Sequence, residues 1–138
     1  VSEANNITND GRIKMTTLSK LAQIALSTRD LPKAVAFYRD VLGLKLMFEV
    51  SGMAFFDMAG TRLMIGAAHF TGPLQNNTYL YFDAGDWQET EAELEKRGVK
   101  FDRTAEIVQR AEGKEHALRF FKDPDGNALA IMGWRPAK

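Results

Sequence analysis

One order of elements is written twice in this chain, and a repeat of this length limits the fold more than any other feature. Residues 21–26 are mostly apolar and read as a buried strand, after which Asp30-Leu31-Pro32-Lys33 supplies an N-cap with proline in the first helical turn. Ala34, Phe37, Tyr38, Val41 and Leu42 recur at helical spacing as one apolar stripe, and Gly43 is a left-handed stop. Three short strands follow at 44–50, 53–58 and 62–66, separated by the turn-forming pairs Ser51-Gly52 and Ala59-Gly60. Beyond a connecting loop at 67–77 the series restarts. It has a strand at 79–82, a helix from Asp86-Trp87 to Arg97, a stop at Gly98-Val99, and strands near 99–109, 116–122 and 127–133. Asp30 and Asp86 lie 56 residues apart, and Gly43 and Gly98 lie 55 apart. Strand, helix and three strands, twice over, predicts an α+β protein of two tandem βαβββ modules at about 20–68 and 78–134. These sit in a single domain spanning 18–138, behind a polar, flexible tail at 1–17.

Composition narrows the partners. With 18 basic and 18 acidic residues the formal net charge is +0, and no Lys/Arg-rich run is present, so neither nucleic acid nor an anionic membrane surface is an expected partner. The chain has no cysteine, which excludes disulfides, thiolate metal sites and cysteine nucleophiles. No stretch has the apolar length of a signal peptide or membrane span, and a soluble, cytoplasmic protein whose partner is a small molecule or another protein is the expectation.

The segments Gln23-Ile24-Ala25-Leu26 and Asp30-Leu31-Pro32-Lys33-Ala34-Val35-Ala36-Phe37-Tyr38-Arg39-Asp40-Val41-Leu42-Gly43-Leu44 resemble the opening module of the vicinal oxygen chelate family, the glyoxalase, bleomycin-resistance and extradiol dioxygenase-like proteins. Phe120-Phe121-Lys122-Asp123-Pro124-Asp125-Gly126-Asn127 resembles the closing turn of that family. The resemblance implies two βαβββ modules curled into an open, incomplete mixed β-barrel around a cavity, usually within a homodimer and usually around a divalent metal. It also implies where metal ligands belong, in the first and last strand of each module. Carried over by register, those positions are Gln23, Met64, Tyr79 and Ala130. A hard cation wants carboxylate or imidazole donors, whereas these are an amide, a thioether, a phenol and a methyl, so no metal and no other cofactor is expected there.

Alternation places Leu63, Ile65, Leu129 and Ile131 towards the helices, with Met64, Gly66, Ala130 and Met132 facing inward. Of the two histidines, His69 reads as a solvated loop residue, while His116 opens a strand where it either projects into the cavity or ends as a satisfied polar group. Arg119 in the same strand either binds an anionic ligand or faces away. Asp123-Pro124-Asp125-Gly126 reads as a type I turn rather than as an acid/base pair or calcium loop, and Glu89, Glu91, Glu93 and Glu95 read as a solvated helix face. Phe48, Phe55, Phe56, Met58, Phe120 and Trp134 are further candidates for an apolar cavity wall.

The expected ligand-binding set is therefore Gln23, Met64, Tyr79, Tyr81, His116, Arg119, Ala130 and Met132, and the expected function is binding or sequestration of a small, flat or partly apolar molecule. Two alternatives stand beside it. One is an enzyme, a lyase, isomerase or dioxygenase, with displaced metal ligands such as His116, Glu49 or Asp57, or with Tyr79 and His116 in metal-free acid/base roles. The other is an interaction module whose dimer is its function.

Overall fold

The computed structural model describes residues 18–67 and 78–138; the tail at 1–17 and the connecting segment 68–77, with His69 in it, lie outside the described residues. Strand β1 (Gln23–Thr28) leads to helix α1 (Leu31–Ala36) and a π-helical turn (Phe37–Val41), then to β2 (Lys45–Val50), β3 (Met53–Met58) and β4 (Thr61–Ala67). The second module repeats the order with β5 (Tyr79–Asp83), helix α2 (Trp87–Lys96), β6 (Glu106–Ala111), β7 (Lys114–Lys122) and β8 (Ala128–Pro136). Each helix begins at an aspartate cap: Lys33 N–H donates to Asp30 Oδ1 at 3.1 Å, and Glu89 N–H donates to Asp86 Oδ1 at 2.9 Å. Gly43 follows the first helical segment with φ +76°, a left-handed conformation that costs a Cβ-bearing residue more than it costs glycine.

The modules build two four-stranded mixed sheets, ordered β1-β4-β3-β2 and β5-β8-β7-β6, and among the described residues no strand pairing joins them into a closed barrel. In each, the first and last strands pair in parallel with matching register, Ala25 opposite Met64 and Tyr81 opposite Ala130. Both outer strands carry a bulge at the corresponding place, Met47 in β2 and Val108 in β6.

One face of each sheet is packed under the helices. Leu26, Phe56, Leu63 and Ile65 of the first sheet and Ala117, Phe121, Leu129 and Ile131 of the second are buried in one continuous core that also takes in Tyr38, Trp87 and Leu94. Two departures from the sequence pattern occur. The helical stripe expected to run evenly from Ala34 to Leu42 widens into the π-helical turn, where Leu42 N–H reaches back to Phe37 C=O at 3.0 Å. A wider turn rotates less per residue, so the adjacent rings of Phe37 and Tyr38 both reach the core, packed edge to face at 5.3 Å. The strand expected from residue 99 begins only at Glu106, because Val99 N–H closes α2 onto Leu94 C=O at 2.9 Å.

The closing turn ties the modules together. Gly126 N–H donates to Asp123 C=O at 3.0 Å, the turn expected from Asp-Pro-Asp-Gly. Its two buried carboxylates are fully occupied. Asp123 accepts from Tyr38 Oη at 2.7 Å, from Asn127 Nδ2 and N–H at 2.8 Å each, and from Asp125 N–H at 2.9 Å. Asp125 accepts from Thr28 Oγ1 at 2.6 Å and Arg29 N–H at 2.9 Å. Burial, and then the neighbouring Asp123 charge, push the Tyr38 phenol well above its ordinary pKa, so it serves as a neutral donor.

Candidate functional site

Because side chains alternate along a strand, the face of each sheet turned away from the helices is open, and this is where the expected site residues gather. On the first sheet Gln23 Nε2 donates to Met64 Sδ at 3.9 Å, Phe48 stacks on Phe55 at 4.6 Å, and the Arg62 guanidinium lies 5.1 Å from the Phe55 ring centre. Phe56 and Met58 belong to the other face and pack in the core.

The second sheet presents Tyr79, Tyr81, His116, Phe120, Met132 and Trp134 on its open face. Phe120 receives Tyr79 and Tyr81 edge-on at 5.7 and 5.9 Å, and the His116 ring leans on Trp134 with centres 4.9 Å apart and planes inclined by 30°. A cavity of about 490 Å³ collects Tyr81, His116 and Met132 with Asp83, Gly133 and Trp134. Gln23, Met64, Tyr79 and Ala130 do not line it. Tyr79 lines a separate cavity, and Ala130 is wholly buried beneath its neighbours. Asp83 is the polar wall that sequence reasoning overlooked, although it stands two residues after Tyr81 in the same alternation.

Arg119 requires correction as a ligand-binding residue. Its pairing opposite Ile131 places it on the helix side of β7, where Nη1 bonds Glu91 at 2.8 Å, Nε donates to Arg103 C=O at 2.8 Å, and the guanidinium lies 4.5 Å from the Phe101 ring centre. Glu91, expected on a solvated face, is the other half of that pair. With all its contacts internal, Arg119→Met is expected to lower stability by about 1 kcal/mol in urea titration while leaving ligand affinity unchanged.

At the positions where the resemblance implies metal ligands, the side chains do not fit a divalent cation. The Gln23 amide is a neutral oxygen donor whose nitrogen contacts the Met64 thioether, and Ala130 has nothing to donate. Nor does a displaced set assemble among the described residues. Among the described residues no three His, Asp or Glu side chains converge, and Glu49 and Asp57 stand on the first sheet while His116 stands on the second.

Comparison with known proteins agrees with this architecture. The family model of the Glyoxalase/Bleomycin resistance protein/Dioxygenase superfamily matches residues 20–131. A Bacillus subtilis protein of uncharacterised function, YraH, is 30% identical over 128 residues, an overlap covering 81% of this chain and 96% of YraH. The metallothiol transferase FosB of Lysinibacillus sphaericus is 28% identical over 115 residues, covering 80% of this chain and 79% of FosB. The crystal structure of TnmS3, an antibiotic-binding protein from Streptomyces, superimposes with a TM-score of 0.66 at 23% identity, covering 89% of this chain and all of TnmS3. Two βαβββ modules in one core and a family match spanning both of them lead to one assignment: the chain belongs to the glyoxalase, bleomycin-resistance protein and dioxygenase superfamily.

Proposed function

We propose that this protein binds and sequesters a small, flat, partly apolar molecule on the open face of its second sheet, without the metal that the family usually holds between its modules. The observation that carries this reading is the cavity in which Tyr81, Met132 and the tilted ring pair of His116 and Trp134 make an apolar and aromatic wall beside the carboxylate of Asp83. Few polar groups among apolar walls is the composition of a pocket that fixes a ligand's orientation while most of the affinity comes from burial. His116 and the Tyr81 hydroxyl supply the hydrogen bonds, and Met132 adapts to shape. A homodimer suits this reading: Phe48, Tyr79, Tyr81 and Trp134 are each between 41% and 52% exposed on the open faces, and a second copy laid across them would deepen the cavity.

The FosB relationship favours a second reading, a metal-dependent transferase. Metal analysis of protein purified without chelator or metal-affinity resin separates the two. The proposed function predicts no retained divalent metal and no binding below about millimolar concentration, together with a rise in Tm from planar aromatic compounds in a thermal-shift screen. Near-stoichiometric metal would overturn it in favour of the transferase.

A further inference from the structure

A second cavity, which shares the Tyr81 wall with the open-face site, lies at the seam between the modules. It has a volume of about 550 Å³ and is walled by Ile24 and Leu63 from the first module and by Leu80 and Phe82 from the second. All four belong to, or pack directly against, the core, so the cavity is a place where the core reaches solvent. Among the described residues Arg62 is the only charged residue that lines it, and no carboxylate does. Arg62 is exposed; Asp57 stands opposite it across β3 and β4, but among the described residues the guanidinium forms no ion pair and lies instead over the ring of Phe55, a contact that an exposed cation gives up readily. The open-face cavity is the opposite case, with Asp83 in its wall and, among the described residues, no Arg or Lys.

An apolar chamber with one uncommitted cation at its rim matches one ligand chemistry, a hydrocarbon body ending in a single negative group. We infer that the seam cavity binds a free medium-chain alkyl carboxylate, its chain between Ile24, Leu63, Leu80 and Phe82 and its head on Arg62. The volume is within the ~300–1,000 Å³ typical of small-molecule sites. A planar guanidinium takes a carboxylate through two parallel hydrogen bonds, which an alcohol cannot reproduce. Because both modules furnish walls, an occupant would also hold them together.

The test is titration calorimetry of the full chain with decanoate below its micelle-forming concentration, and with decanol and decyltrimethylammonium as neutral and cationic counterparts. Decanoate is expected to bind one per chain and more tightly than either counterpart. Arg62→Gln is expected to weaken it by about tenfold, the loss of one charge-assisted contact, without changing the neutral analogue. Trp134→Ala, in the open-face site, is expected to leave decanoate binding intact. Absence of decanoate binding, equal binding of the cationic analogue, or loss of binding in Trp134→Ala with none in Arg62→Gln would each overturn the seam site. None of these outcomes bears on whether planar ligands bind the open face.

Discussion

Asp123→Ala is expected to lower the free energy of unfolding by about 3–5 kcal/mol, a large loss for a single polar side chain. Asp123 is 6% exposed, and its two oxygens accept four hydrogen bonds, including one from Tyr38, 85 residues earlier in the chain. Truncation leaves the Tyr38 hydroxyl, the Asn127 amide and two backbone N–H groups buried without partners, each at roughly 1–3 kcal/mol unless water enters. A domain of this size has only ~5–15 kcal/mol to lose, so the variant should sit near its unfolding threshold. Urea titration followed by fluorescence reads the change, and a loss below about 1 kcal/mol would show that the turn does not hold the modules together. Tyr38→Phe separates the hydroxyl from the ring. It should cost only about 1–2 kcal/mol, and it carries a pH signature. The folded phenol is held above its ordinary pKa by burial and by Asp123, so its contribution is fully present below about pH 10 and falls as the unfolded chain's tyrosine ionises above it. The wild type should therefore lose stability more steeply in that alkaline range than Tyr38→Phe.

The second large effect concerns binding. For a planar ligand of the open face, Trp134→Ala is expected to cost about 2 kcal/mol, roughly 30-fold in Kd, because it removes both a stacking surface and the support of His116. The chain offers a built-in reporter. Trp87 is 3% exposed inside the core while Trp134 is 41% exposed at the cavity. Ligand-induced quenching should come from Trp134 and disappear in Trp134→Phe, with Trp87 emission unmoved. His116→Ala should reduce affinity less, by several-fold, through the lost hydrogen bond. Unchanged affinity in both variants would remove the ligand from this cavity.

Much of this architecture was legible in the residues because it rests on local rules. The aspartate caps, the glycine stops and the two-residue turns each satisfy a nearby backbone group, and the alternation in 62–66 and 128–132 marks a buried and an open face. Strand β7 gave no such phase. Ala117-Leu118 and Phe120-Phe121 are apolar on both faces, so the sequence could not say on which side Arg119 lies, and only its pairing opposite Ile131 decides it. The π-helical turn was hidden for a related reason, since one widened turn leaves the apolar spacing nearly intact. The Asp-Pro-Asp-Gly turn was readable, but the attachment of its carboxylates to Thr28 and Tyr38 was not. Those contacts span 97 and 85 residues, and no local pattern encodes them. Asp83 escaped notice because a lone carboxylate near a turn looks like ordinary loop chemistry until the sheet folds it beside His116.

The paired bulges at Met47 and Val108 bear on edge-to-edge association through the outer strands. β2 and β6 are outer strands whose free backbone edges would suit recruitment of another molecule's strand into a growing ladder. A bulge breaks the hydrogen-bonding rhythm and adds local twist, so an incoming strand would find donors and acceptors out of step after two or three residues. Each irregularity falls at an exposed apolar side chain, Met47 at 46% and Val108 at 53% exposure. Straightening either strand by deleting its extra residue is expected to make that edge a better template for another chain's strand, read as a faster rise of light scattering on concentration.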